Sequence, residues 1–211
     1  MHLAAMHERP IDIYVLRFLL GLALAGLAVV GIGMARTEAL PKPQRIAPPP
    51  QFELSLSADG QSFEFSGLVD FGMTEALRML VAAHPQIKRM VLDSRGGYVA
   101  EARGVVTVLR EHKIATHVDG HCASACALIF AGGSARSLAP EGQIGLHGYA
   151  LQRDNHFGMI DPAAEMQRDL AIYRAQSIDE KFVERLGTLP QNPMWYPDHA
   201  ELRSVGLVTI P

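Results

Sequence analysis

The chain has 211 residues, of which 48% are hydrophobic and 19% charged, and its formal net charge is −3. That length suits one medium domain with a full core, and the composition excludes a disordered tail or nucleic-acid binding through a global positive field. Two cysteines are too few for a disulfide scaffold or a four-thiolate metal site.

Between Arg17 and Arg36 lie 18 residues without a charge, FLLGLALAGLAVVGIGMA. The run approaches the apolar thickness of a bilayer. His7, Arg9 and Arg17 precede it, diluted by Glu8 and Asp12. Two export readings stand side by side. One is a secretory signal cleaved after Ala35, with Gly33 and Ala35 as its small residues. The other is an uncleaved membrane anchor over residues 18–35. A buried soluble helix is the plain third reading. Either export route places the remaining chain in a periplasmic or other extracytoplasmic space. Residues 37–51, TEALPKPQRIAPPPQ, are proline-rich and read as a stiff, exposed linker. The chain thus divides into an N-terminal segment (1–36), a linker (37–51) and a domain (52–211).

Within the domain, FELSLS and SFEFSG alternate apolar with polar residues around Asp59-Gly60, which predicts a β-hairpin. Met73, Leu77, Leu80 and Val81 recur at helical spacing, so a helix is expected over 73–83, ended by Pro85. KRMVLDSRGG reads as a short strand running into a glycine turn. Residues 99–111 suit a helix with Ala102, Val105, Val106 and Leu109 on its apolar side, and Lys113 to Asp119 a further strand. Buried strands alternating with helices argue for an α/β fold with a mostly parallel sheet. The small, apolar segment ASACALIFAGG (123–133) reads as a helix buried near the centre. ARSLAP and GQIGLHG read as two short strands split by the Pro140-Glu141-Gly142 turn. Residues 150–160 read as a polar rim loop. Residues 162–186 read as one long amphipathic helix carrying Met166, Leu170, Tyr173, Ile178, Phe182 and Leu186. A loop, a short helix from Asp198 to Ser204 and a last strand, GLVTI, close the chain.

Three places carry candidate chemistry. In Asp93-Ser94-Arg95-Gly96-Gly97, adjacent glycines after a strand expose backbone N–H groups that can hold an oxyanion, though an ordinary tight turn has the same composition. Ser124 starts the buried helix, where neighbouring N–H groups would stabilise negative charge. A plain N-cap serine is the competing reading. His147, set between Gly145 and Gly148 at a strand end, has room around its ring. His121 is close enough to Ser124 in sequence to compete as a base. Cys122 and Cys126 lack the further ligands zinc needs. A local disulfide and a pair of buried thiols both fit their spacing.

In chain order, DSRGG (93–97), CASACALIFAGG (122–133), GQIGLH (142–147) and MWYPDHAELRSVGLV (194–208) resemble the Clp-protease/crotonase superfamily, particularly the Clp proteolytic subunit and its membrane-associated relatives. The resemblance spans about residues 60–209. It implies a core of repeated β-β-α units and a serine peptidase with Ser124 as nucleophile and His147 as base. It also implies oxyanion donors at the N–H groups of Gly97 and Ala125. The family's third residue is an acid in the loop before the last helix, yet no Asp or Glu occurs between Gly187 and Pro197. Asn192 is the nearest polar side chain able to orient His147. Asp198 fits if the loop runs differently, and Asp154, Asp161 and Asp169 would need another geometry. Relatives that use a lysine base are a poorer match, since Lys42, Lys88, Lys113 and Lys181 all fall outside the motifs. The resemblance further implies a peptide or protein substrate, self-association into a homo-oligomer and no metal or organic cofactor. The alternative is a catalytically weak or inactive module that binds peptides or acts as a scaffold at the membrane. Acyl-CoA chemistry is disfavoured by export, and thiol redox chemistry at the two cysteines is the remaining rival.

Overall fold

The computed structural model describes residues 12–15, 17–22, 51–149 and 161–210. The chain divides into two compact units, Met1–Pro48 and Pro49–Pro211. In the first, residues 13–15 and 17–22 are helical and exposed. Among the described residues, no helix is long and apolar enough to cross a membrane. Most of the uncharged run, nearly all of the proline-rich linker and the expected rim loop lie outside the described residues.

The second unit opens with the expected hairpin. Strands β1 (Phe52–Leu56) and β2 (Phe63–Gly67) pair antiparallel around a turn in which Gly60 has φ 68°. From β2 onward the sheet is parallel. It continues through β3 (Arg89–Asp93), β4 (Ala115–Val118) and β6 (Arg136–Leu138) in the order β1-β2-β3-β4-β6. Phe63, Phe65, Met90 and Leu92 point into the core from alternate positions, as period-two side chains must. A second, two-stranded sheet pairs β5 (His121–Ala123) with β7 (Gln143–Gly145), again parallel. Among the described residues of this unit, six helices accompany these strands: α1 (Met73–Ala83), α2 (Val99–His112), α3 (Ala125–Gly132), α4 (Pro162–Arg174), α5 (Glu180–Thr188) and α6 (His199–Ser204). The result is the expected mixed α/β fold, a mostly parallel sheet covered by helices. Every residue of α3 is buried. A helix apolar all round belongs inside a domain.

Two expectations are corrected. The single helix over 162–186 is two helices, broken where Ser177 takes the left-handed region (φ 58°) and Asp179 caps α5 by accepting from the Phe182 N–H. Tyr173, Ile178 and Phe182 are buried on both sides of the break. The apolar spacing therefore persists although the backbone does not. The closing GLVTI forms no regular strand. It is held by Arg136 instead, whose carbonyl accepts from the N–H groups of Thr209 and Ile210. The Arg136 side chain is 2% exposed and donates to the carbonyls of Leu207, Gly206 and Gly133.

Candidate active site

The ends of β3, β5 and β7 meet at one point, and the two sheets are tied together there. The Ser94 N–H donates to the His121 carbonyl at 2.8 Å, and the Ala123 N–H to the Ser94 carbonyl at 2.9 Å. Close approach then demands glycine. A Cβ on Gly96, which has φ 99°, would lie 2.7 Å from both the Ala123 carbonyl oxygen and Ser124 Cβ. A Cβ on Gly97 would lie 2.2 Å from the Val69 carbonyl oxygen. No side chain fits either place without moving backbone. The turn is pinned by Val69, which donates to the Gly96 carbonyl and accepts from the Tyr98 N–H. The Gly97 N–H between them has no protein acceptor among the described residues.

Ser124 immediately precedes α3 with φ 57° and ψ −123°, backbone angles that are costly for a residue with a Cβ. Its side chain does not cap the helix. The N-cap reading therefore does not describe it. Its N–H donates to the Gly145 carbonyl at 2.8 Å, fixing the end of β5 to the end of β7. Past β7, Leu146 and Trp195 exchange backbone hydrogen bonds of 2.8 Å, and the Gly148 N–H reaches the Pro190 carbonyl at 2.8 Å. His147 is held between these two ties, with Nε2 2.8 Å from Ser124 Oγ. The Ala125 N–H opens α3 and is likewise without a protein acceptor among the described residues. Cys122 and Cys126 are joined as a disulfide, with Cα atoms 5.2 Å apart, so a covalent bridge spans the turn that presents Ser124.

Behind His147 the structure departs from expectation. Nδ1 lies 2.7 Å from the Gly148 carbonyl oxygen. Beside an acceptor with no proton, Nδ1 carries the hydrogen and Nε2 keeps its lone pair for the serine hydroxyl. Asn192 is exposed, and its side chain makes no hydrogen bond among the described residues. A main-chain carbonyl stands where Asn192 was expected. Asp198 and Asp161 are occupied as caps of α6 and α4. Asp154 lies outside the described residues. His121, the competing base, borders a different cavity with Asp93, Ser94 and Arg95.

Ser124, His147, Gly97 and Ala125 all border one cavity of about 300 Å³. Its other walls are largely apolar, from Leu128, Leu146, Leu170 and Leu186. Two polar residues of α4, Asp169 and Tyr173, also border it. Burial pushes the Asp169 carboxyl above its ordinary range, against the pull of Arg103. Burial also pushes the Tyr173 hydroxyl up, and the charge of Asp169 adds to the effect. The sequence places Tyr173 on an apolar face and offers Asp169 only as an alternative to orient His147, whereas Asp169 binds Arg103. The available signal was an acid and a tyrosine four apart on one helix face. A second row, Ser137 to His117 (2.6 Å) to Asp119 (2.9 Å), crosses β6 and β4, but none of the three borders this cavity.

No protein-family model and no curated protein matches the chain. A solved structure does: a serine-to-alanine variant of the 1510-N membrane-bound stomatin-specific protease. The two align with a TM-score of 0.54 and 16% identity, over 70% of this chain and 76% of that one. At that identity the likeness is one of fold alone, a mostly parallel sheet covered by helices.

Proposed function

We propose that the domain is a serine peptidase-like hydrolase that cleaves peptide bonds. One observation carries the reading: Ser124 Oγ lies 2.8 Å from His147 Nε2, in one cavity with the N–H groups of Gly97 and Ala125, which have no protein acceptor among the described residues. His147 takes the hydroxyl proton as Ser124 Oγ attacks the scissile carbonyl. The two N–H groups then receive the charge that develops on the carbonyl oxygen. Each such donor is worth about 10²–10³ in kcat where it has been removed. His147 returns the proton to the leaving amine, and water, activated by the same imidazole, releases the acyl-enzyme. The structural likeness to a protease supports this class of chemistry. A fluorophosphonate probe tests it, with labelling expected in the natural chain and lost in Ser124→Ala. Equal labelling of both would overturn the assignment.

A second reading has its own support, since no carboxylate stands behind His147 among the described residues. In that case the cavity holds peptides with little or no turnover. Peptide binding to the natural chain without detectable cleavage or labelling is its signature.

The same reading places the domain outside the cytoplasm, attached through residues 18–35 or released by cleavage after Ala35, and self-associated. The disulfide favours an oxidising compartment. N-terminal sequencing of the protein recovered from membrane and soluble fractions separates anchor from cleaved signal. Sedimentation of the recovered protein tests the self-association.

A further inference from the structure

Resting on the peptidase reading, we propose that Asp169 makes the cavity beside Ser124 a subsite for a cationic substrate side chain, a lysine or arginine adjacent to the scissile bond. Asp169 is 2% exposed, and it borders the same cavity as Ser124 and His147. Its Oδ1 accepts from Arg103 Nε at 2.5 Å. Its Oδ2 is buried and has no hydrogen-bond partner among the described residues. A buried carboxylate oxygen without a donor is costly, so a ligand that brings one is favoured there.

The charge of that donor follows from the surroundings. Arg103 is the guanidinium on this carboxylate, and it is shared. Its remaining nitrogens go to the Glu165 side chain and to the Glu165 carbonyl. Arg168 also meets Glu165, but from the exposed side. The two arginines match the two carboxylates in number, but Arg168 touches Glu165 alone, so Asp169 shares its one cation and keeps Oδ2 without a donor. A cationic head group brings the charge-assisted donor that is the stronger kind, and away from bulk water it is weakly screened. A substrate carboxylate at that oxygen is repelled. The shape fits the same occupant. Leu128 and Leu170 offer apolar wall to the methylene stem of lysine or arginine, which carries its charge only at the tip. Met166 borders the cavity too, and a partly exposed methionine gives way at little cost as the head group reaches Oδ2.

The test uses the full chain and matched extended peptides carrying lysine, arginine, norleucine or glutamate at the scissile residue and at each neighbour in turn. Norleucine keeps the stem and removes the charge. Cleavage is read as kcat/KM in the natural chain, and binding is read by fluorescence anisotropy in Ser124→Ala. Lysine and arginine peptides are expected to exceed norleucine by about tenfold or more in both readouts, with glutamate weakest. Asp169→Asn retains an oxygen for Arg103, and it is expected to abolish the preference for the cation. Norleucine peptides bound as well as lysine peptides, no binding by either, or an unchanged ratio in Asp169→Asn overturns the proposal. Should Asp169→Asn fail to fold, the lysine-to-norleucine ratio decides alone. Failure of the hydrolase reading is separate: it appears as absent fluorophosphonate labelling while the binding ratio in Ser124→Ala still reports on Asp169.

Discussion

At Ser124 a side chain occupies backbone angles that glycine tolerates far better. The segment around it over-determines that conformation: the disulfide brackets it, its N–H is tied to Gly145, and α3 is buried behind it. Strain held in this way aims the hydroxyl at His147 and away from the helix end it would otherwise cap. Ser124→Ala removes the hydroxyl and keeps the strain, whereas Ser124→Gly removes both. We expect Ser124→Gly to be the more stable of the two by about 1 kcal/mol in denaturant unfolding, with both variants unlabelled by the serine probe. Equal midpoints would mean that the backbone angle carries no cost. The orienting group behind His147 shows the limit of residue-type reasoning. A carbonyl is present at every position, so nothing in the residue letters distinguishes Gly148 from the rest. Asn192 is the nearest polar side chain in the sequence, yet a main-chain acceptor already fills the place.

Individual elements are fixed by caps and crosslinks that cross between them. Helix α1 begins at Gly72, which offers no capping side chain. Glu101 of α2 supplies the cap, accepting from the N–H groups of Gly72 and Thr74 and from the Thr74 hydroxyl. Burial pushes the Glu101 carboxyl up, but these hydrogen bonds pull it further down, and the net shift is below the ordinary 4.5. A carboxylate depressed in this way stabilises the fold above its unfolded pKa, and that stability is lost as pH falls through the folded value. Glu101→Gln should therefore cost about 1 kcal/mol at neutral pH. The difference from the natural chain should shrink as pH falls below 4.5 and vanish only below the depressed folded value, read by thermal unfolding across pH. The Cys122–Cys126 bridge acts on β5 and α3 in the same manner. It closes a short loop, so its loss should cost only about 2 kcal/mol. Its larger effect should be on geometry: reduction is expected to slow fluorophosphonate labelling of Ser124 without unfolding the domain. Unchanged labelling after reduction would show that the burial of α3 alone holds the serine.

Across the whole domain, one buried arginine joins the last residues to the sheet. Arg136 satisfies the carbonyls of Leu207, Gly206 and Gly133 and meets the Gln176 side chain. Arg136→Ala leaves all of these acceptors buried with fewer donors, and a loss of about 3 kcal/mol or more is expected in denaturant unfolding. Hydrogen exchange at Thr209 and Ile210 should rise first, since both donate to the Arg136 carbonyl. A uniform rise throughout the domain would instead assign Arg136 to global stability alone.

The sequence by itself determined the α/β class and the edge hairpin, and it offered Ser124, His147, Gly96 and Gly97 as candidates. These rest on local rules: alternation, helical spacing, turn chemistry, and short motifs in order along the chain. Only the tertiary structure decided what lies between elements. It split 162–186 at Asp179, because two helices can bury one continuous apolar stripe. It paired β5 with β7, three-residue strands too short to show alternation. It set a backbone carbonyl behind His147, and it brought Asp169 of α4 to the cavity of Ser124. The pairing of β5 with β7 and the approach of Asp169 to Ser124 join residues far apart in the chain. Gly148 is the neighbour of His147, and it acts there through an atom that every residue shares.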